Sequence, residues 1–510
     1  MTTIIRDANA SQDSGMENLF EGQNDGNGED RFSNLPEHII LHILSFLHTK
    51  HVVLTSVFSS RWRYLWTLVP NLGFCDVHLF HQNIWRNPEY ENKFMNFVDR
   101  VLFLIDVPYI SKFYLLLTKC YDEYRVNSWI TTAVMRKAKE LVIVAAVGYV
   151  VVPRCLFTSE SLTTLKIEME HDLRMPSLIN LPSLKVLHLG HVCIYVDGDF
   201  QVSFRFPNLE ELYLKECNWM EIDKANITAP ALERLIIEDD PICKNDGLHN
   251  CEIHIFAKSL ISFKMKSNLS YQYYPHILSS LGDASVDVLH NLSSHSEEID
   301  HRLRNLLKVI CNVRDLALSN HTIVVSFTES FVFLALFRGD LLSHLHKFFN
   351  SFHLTVIVEF NDGKRIGWTI RHLIELLRHL PNIESLLLIN TDGGCAFEKH
   401  FLIIETIPSI ARLKSIEIQN FHGSRHELNF LRILLKNARI LEKLTISIVS
   451  SLSANPLVQV DISRKLRMLS RGSPGKVEVI VANRKDEFLS EEERKWGQNT
   501  GQSWYKLEHT

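Results

Sequence analysis

The sequence is poor in the features that would name a chemistry. Its nine cysteines are scattered and no two form a CxxC pair. Neither a disulfide framework nor a tandem-thiolate module is written into it, and reduced thiols of a cytosolic or nuclear protein are the expected state. Positive charge is not in excess: 54 Lys and Arg stand against 59 Asp and Glu, for a net charge of −5. That removes the electrostatic footprint of a general nucleic-acid binder. Long apolar runs are missing too. The longest, LVIVAAVGYVVV from Leu141 to Val152, falls short of the about 20 residues of a membrane helix. Its β-branched residues predict one or two buried strands. The first residues lack the apolar stretch of a signal peptide, so the four N-x-S/T sequons at Asn226, Asn268, Asn291 and Asn320 carry no meaning.

Catalytic signatures are absent as well. There is no GxxxxGK phosphate loop, no HExxH and no GxSxG. No catalytic residue and no cofactor is therefore expected. NTDGGCAF around Gly393 reads as a turn, and Glu238-Asp239-Asp240 as a solvated loop after a strand-like run. Arg464, Lys465, Arg467 and Arg471 form the most basic patch and read as a solvated face. Cys243, His249, Cys251 and His254 could offer two thiolates and two imidazoles to zinc, but their spacing matches no standard finger.

What is there begins with a polar stretch. Residues 1–29 carry acids at Asp7, Asp13, Glu17, Glu21, Asp25 and Glu29 against one base, Arg6. They have too little apolar surface to offset ordering, which predicts a disordered tail. The pattern then turns helical. Ile39, Ile40, Ile43, Leu44 and Leu47 recur at steps of three and four. Pro36 suits a first helical position. Thr49 is placed to cap a second helix with Val53 and Val57. Trp62, Leu65 and Trp66 make a third short face. Three short helices in about forty residues are too little core for an independent domain, so this face needs a partner.

A repeat follows. The template apolar-x-x-apolar-x-apolar matches from Ile110, Ala138, Leu162, Leu184, Leu209, Leu232, Leu260, Val313, Ile383, Leu413 and Leu441. Successive spacings are 28, 24, 22, 25, 23, 28, 53, 70, 30 and 28. The 53 holds two units if LGDASV from Leu281 is a degenerate match, and the 70 contains the strand-like LTVIVEF. The last two template positions alternate along a short strand and point to one face. Such a unit buries its apolar side only against its neighbours. Stacking predicts a solenoid with a parallel sheet on its concave face, and Leu181-Pro182, Phe206-Pro207, Ala229-Pro230 and Leu380-Pro381 supply turns. The fold class expected is α/β: a small all-α module followed by an irregular solenoid. The residues between the apolar positions, Thr164, Lys166, Val186, His188, Glu211, Tyr213, Arg234 and Ile236, would line the concave face.

The segments LPEHIILHILSFL and TSVFSSRWRYLW, at their spacing, resemble the F-box of plant F-box proteins with leucine-rich repeats. The likeness departs at His48, where the family has Pro, and at Ser60, where it has Lys. It continues through FMNFVDRVLFL from Phe94, VNSWITTAVMRKAKELVI from Val126 and CLFTSESLTTLKI from Cys155. Leu413–Ile446 resembles the FBD module of the same class at Gly423, Glu427-Leu428, Leu434-Leu435, Asn437-Ala438 and Leu441-Glu442-Lys443, with Ser409-Ile410 in place of Cys-Leu. RGSPGKVEVIV fits a terminal strand. The implied organisation is a tail to residue 29, an F-box over 30–75, linker and repeats over 76–404, an FBD region over 405–450, a terminal strand region over 451–484 and a polar tail from 485.

The resemblance implies a non-catalytic receptor. The F-box would bind a Skp-type adaptor and through it a cullin scaffold, and the repeats would present an unidentified target protein for ubiquitination. Adaptor contacts are expected from Leu35, Pro36, Ile39, Ile43, Leu44, Leu47, Val57, Trp62 and Trp66, some of which must also form the module's own core. No nucleic-acid or membrane partner is expected, and the cytosol or nucleus is the expected location. The competing reading is a non-degradative interaction scaffold or a degenerate family member.

Overall fold

The computed structural model describes residues 35–79, 88–147, 150–196, 200–219, 221–239, 248–277, 280–289, 296–319, 322–323, 348–358, 373–374, 376–377, 379–390, 410, 412–449, 456–470 and 478–483. The two expected tails, Asp240, Cys243 and residues 391–397 of the NTDGGCAF turn lie outside these. The chain divides into two compact units: Met1–Leu281 with Leu289–His295, and Gly282–Val288 with Ser296–Thr510.

The first unit opens with helices Glu37–Leu44 and Thr49–Leu54, followed by 3₁₀ turns at Thr55–Val57 and Leu65–Leu68. The third face is therefore a 3₁₀ turn rather than an α-helix. Eight parallel strands then run side by side in chain order: Asn71–Cys75, Lys112–Leu117, Glu140–Ala145, Thr164–Met169, Val186–Gly190, Glu211–Lys215, Arg234–Glu238 and Ser262–Ser267. The LVIVAAVGYVVV run thus contributes a single strand, Glu140–Ala145. From the second strand onward, each begins two residues after the first apolar position of a template match. Those leading residues, Ile110, Ala138, Leu162, Leu184, Leu209, Leu232 and Leu260, are all buried. The next two template positions follow them inward, as with Leu165 and Ile167 or Leu212 and Leu214. Burying each Leu or Ile contributes about 1.5–3 kcal/mol. The template is the spacing at which this burial repeats.

Between the first three strands the chain crosses over through helices Pro88–Leu104 and Glu123–Met135. Asp122 caps the second of these, its carboxylate accepting from the Arg125 N–H at 2.9 Å. Trp129 of this helix and Phe94 of the other are buried edge to face, 6.0 Å between centroids.

Two features depart from the sequence expectation. First, a strand precedes the first template match that was counted. VPNLGF from Val69 fits the template and leads Asn71–Cys75, which pairs in register with Lys112–Leu117. It was missed because it overlaps the helical pattern of the opening module. Second, the repeats from residue 178 return through strands, which the template does not show. Leu178–Asn180, Gln201–Arg205, Lys224–Thr228, Glu252–Ala257 and Gln272–Ile277 form a second parallel sheet. The cause is local: runs such as QVSFRF alternate with a period of two, burying Val202, Phe204 and Phe206.

Among the described residues the second unit contains seven parallel strands, again in chain order: Asp283–Val288, Asp315–Ser319, His353–Val358, Ser385–Asn390, Ser415–Phe421, Lys443–Ile448 and Glu478–Asn483. The degenerate match from Leu281 does lead a strand. The wide gap between Val313 and Ile383 holds His353–Val358, whose leading position is Ser351. That serine is buried and donates to the Val313 carbonyl at 2.7 Å, which lets a hydroxyl occupy an apolar position. Helices Ser296–Val309, Arg425–Asn437 and Pro456–Ser470 belong to the same unit.

Candidate functional site

The opening module closes a small core of its own. Ile40, Leu44, Val52, Val53, Trp62, Leu65, Trp66 and Val69 are buried. Three of the expected contact residues, Leu44, Trp62 and Trp66, thus lie inside it. Pro36 sits one residue earlier than expected, as the N-cap of Glu37–Leu44 with φ −56° and ψ 143°, and its carbonyl accepts from Ile39 and Ile40. The Arg61 guanidinium donates to the Leu35 carbonyl at 2.6 Å, so the Arg-Trp-Arg run ties down the Leu-Pro start.

The other side of the first helix is bare. Ile39 and Ile43 are 37% and 40% exposed, and Phe46 and Leu47, in the turn just past the helix, are 74% and 42% exposed. Val57 and Phe58 after the second helix are also exposed, Pro36 is exposed, and Leu35 is half-buried. Phe46 and Phe58 were not singled out from the sequence. Phe46 stands three residues after Ile43, and it is the exposure of both phenylalanines that marks them. A set of large apolar side chains kept in water on a folded module is the signature of a docking surface.

This module is fastened to the first strand. Thr49 does not cap its helix; His48 is the N-cap residue, and the Thr49 hydroxyl accepts from the Gly73 N–H at 2.7 Å. Asn71 donates to the Ser45 carbonyl at 3.2 Å, and Asp106 N–H bonds the Thr67 carbonyl at 2.9 Å. The hydroxyl expected to serve a helix end serves a strand instead.

On the non-core face of the first unit's main sheet, register places Lys166, His188, Tyr213 and Ile236 in one row. Lys166 Nζ and His188 Nε2 each lie 3.0 Å from Glu168, and Tyr213 donates to Glu238. Burial alone would raise the Glu168 carboxyl, but the His188 bond and the Lys166 charge hold it down at about 2. Arg234 pairs with Glu211. Beyond this row Asp239 accepts from Ser267, and burial pushes its carboxyl up to about 6.

In the second unit the residues of the C-terminal motif have separate structural tasks. Gly423 adopts φ +72° and abuts Ile462. Ser424 and Glu427 form a reciprocal capping box on helix Arg425–Asn437, and Glu427 also accepts from the His422 N–H at 3.2 Å. Leu434, Leu435, Ala438 and Leu441 are buried, and Asn437 donates to the Ile433 carbonyl at 2.8 Å.

Of the thiolate–imidazole set, Cys243 lies outside the described residues and the other three do not converge. Cys251 is buried, the His249 ring stacks on Tyr271 at 5.1 Å, and His254 faces the other side of its strand. Among the described residues no three His, Cys, Asp or Glu side chains gather as metal ligands. None of the described helices is long and apolar enough to cross a membrane.

Residues 32–72 match the family described as F-box domain, and residues 410–446 match the family described as FBD. The F-box/LRR-repeat protein At4g14096 of Arabidopsis thaliana is 30% identical over 372 residues, covering 70% of this chain and 72% of that protein. A second Arabidopsis thaliana F-box/LRR-repeat protein, At2g42730, is 28% identical over 88% of this chain and 97% of its own length. The F-box protein At3g59000 from the same plant is 38% identical over 220 residues, which span 41% of this chain and 44% of that relative.

Proposed function

The chain belongs to the F-box/LRR-repeat protein family, and from that premise we propose that it is a non-catalytic substrate receptor of a Skp–cullin–F-box ubiquitin ligase. The observation that carries this reading is the bare apolar face of a module that has already closed its own core. Ile39, Ile43, Phe46, Leu47, Val57 and Phe58, with Leu35 and Pro36 at the rim, would meet the adaptor. Leu44, Trp62 and Trp66 would hold that face in shape from within. Large anchors of this kind carry most of the energy of an interface.

The repeats would then hold a target protein near the charged conjugating enzyme. Raising the effective concentration of the reacting partners is the whole of the receptor's contribution, and it requires no acid, base or nucleophile of its own. The ties between Thr49 and Gly73 and between Asn71 and Ser45 favour a fixed link from adaptor to repeats, because they join the module to the first strand without a free linker. We place its action in the cytosol or nucleus, where thiols stay reduced and such ligases operate.

Co-expression with a Skp-type adaptor and a cullin tests the proposal. The wild-type chain is expected to purify with both, and Ile39→Asp/Ile43→Asp with neither. Retention of the adaptor without the cullin would favour the non-degradative scaffold. Loss of both from a folded wild-type chain would remove the ligase assignment.

A further inference from the structure

The receptor reading gives no task to the basic patch of the sequence. Two of its residues, Arg464 and Lys465, lie on helix Pro456–Ser470, which packs against helix Arg425–Asn437 and strand Glu478–Asn483 of the second unit. Ile462 and Leu466 of this helix are buried. Val460, Arg464 and Met468 stand two residues out of step with them, which at about 3.6 residues per turn is the opposite side of the helix. Val460 and Met468 are 67% and 64% exposed, and Arg464 is exposed between them. Asp461 is held by Lys465 at 2.7 Å, and no carboxylate among the described residues pairs with Arg464.

A single exposed apolar residue on a helix needs no explanation. Here two of them bracket a guanidinium, in the order apolar, base, apolar at i, i+4 and i+8. The sequence carries the complement just past the last strand. Residues 486–496, DEFLSEEERKW, hold five acids against two bases. Leu489, Glu493 and Trp496 follow in the order apolar, acid, apolar at i, i+4 and i+7, with Phe488 and Glu492 beside them. At helical rise the two patterns span about 12 and 10 Å. Leu489 stands six residues after Asn483, a reach of about 20 Å. Strand Glu478–Asn483 itself packs on the helix that bears the stripe, so the tether keeps the acidic segment at high effective concentration beside it.

We propose that the stripe Val460–Arg464–Met468 is the docking face for residues 486–496 of the same chain. Docked there, Leu489 and Trp496 cover Val460 and Met468, and the carboxylates of Glu492 and Glu493 meet Arg464. The charge match selects this occupant, because a purely apolar partner would leave the guanidinium desolvated and unpaired. The segment then acts as a cap on the last helix of the repeats, an element that stacked arrays use to keep an apolar flank out of water.

Amide hydrogen exchange of the full-length chain, read by mass spectrometry on the peptide spanning residues 486–496, tests this. In wild type these amides are expected to exchange at least about tenfold more slowly than in the same peptide free in solution. Met468→Ser and Arg464→Glu should each remove most of that protection. Both positions are exposed, so a peptide from helix Arg425–Asn437 should keep its wild-type rate and certify the fold. Adding Glu492→Arg/Glu493→Arg to Arg464→Glu should restore slow exchange, which a local effect on the helix would not do. Exchange at the free-peptide rate in wild type, or protection unchanged in both single variants, would overturn the docking. Protection that rises with chain concentration would place a second copy on the stripe and overturn it as well.

Discussion

Gly423 offers the sharpest test of how the C-terminal motif is built. Its φ of +72° is a region where an L-residue pays about 1–2 kcal/mol. A Cβ added there would also stand 2.9 Å from Ile462 Cγ1 and 3.1 Å from its Cδ1. Ile462 is buried and cannot swing into solvent. Overpacking of this kind costs about 1–3 kcal/mol. Gly423→Ala should therefore destabilise helix Arg425–Asn437 by about 2–5 kcal/mol. In an Ile462→Ala background the clash is gone and only the backbone part, about 1–2 kcal/mol, should remain. The coupling of the two substitutions is then about 1–3 kcal/mol, well above the roughly 0.5 kcal/mol of independent sites. Amide hydrogen exchange of Leu428 to Leu434 reads the local opening free energy directly. Equal costs of Gly423→Ala in both backgrounds would refute the packing argument and leave backbone conformation alone.

Other outcomes follow from the same structure. Leu209→Ala should lower the stability of the first unit by about 2–5 kcal/mol in urea unfolding, because the leading position of a repeat is sealed on all sides. Thr49→Val removes the acceptor of the Gly73 N–H and should cost about 1–3 kcal/mol, with the Gly73 amide losing its exchange protection. Asp239 makes stability depend on pH. Its folded carboxyl keeps a proton up to about 6 against an ordinary 3.8, so the folded state binds more protons between these values. Stability from this group is greatest below about pH 4, falls as pH rises through that window and stays low above it. Asp239→Asn should thus gain up to about 3 kcal/mol at pH 7 and little at pH 4, with Ser267 still finding an oxygen acceptor.

Much of this architecture was legible before any coordinates. Every counted template match leads a strand, because burial of one apolar residue per turn and two per strand writes a pattern that few other folds produce. Ser351 escaped the template because a hydroxyl bonded to a backbone carbonyl packs as if it were apolar. The return sheet escaped because its short alternating runs lie between the template matches and do not carry the template themselves. The candidate site was half legible. Ile39, Ile40, Ile43 and Leu44 make an apolar arc wider than one face, and periodicity cannot say which half turns inward. The structure buries Ile40 and Leu44 and leaves Ile39 and Ile43 in water. For the same reason periodicity does not place the two tryptophans, expected among the partner contacts, and the structure buries both in the module's own core.

The most direct test of the central claim is the affinity of the purified full-length chain for a Skp-type adaptor, measured beside Ile43→Glu and Phe46→Ala with folding checked by circular dichroism. The account expects wild type to bind with a Kd below about 1 μM, a binding free energy beyond roughly −8 kcal/mol, and each folded variant to lose at least about tenfold. A wild-type chain that is folded and does not bind, or variants that bind as wild type does, would contradict it.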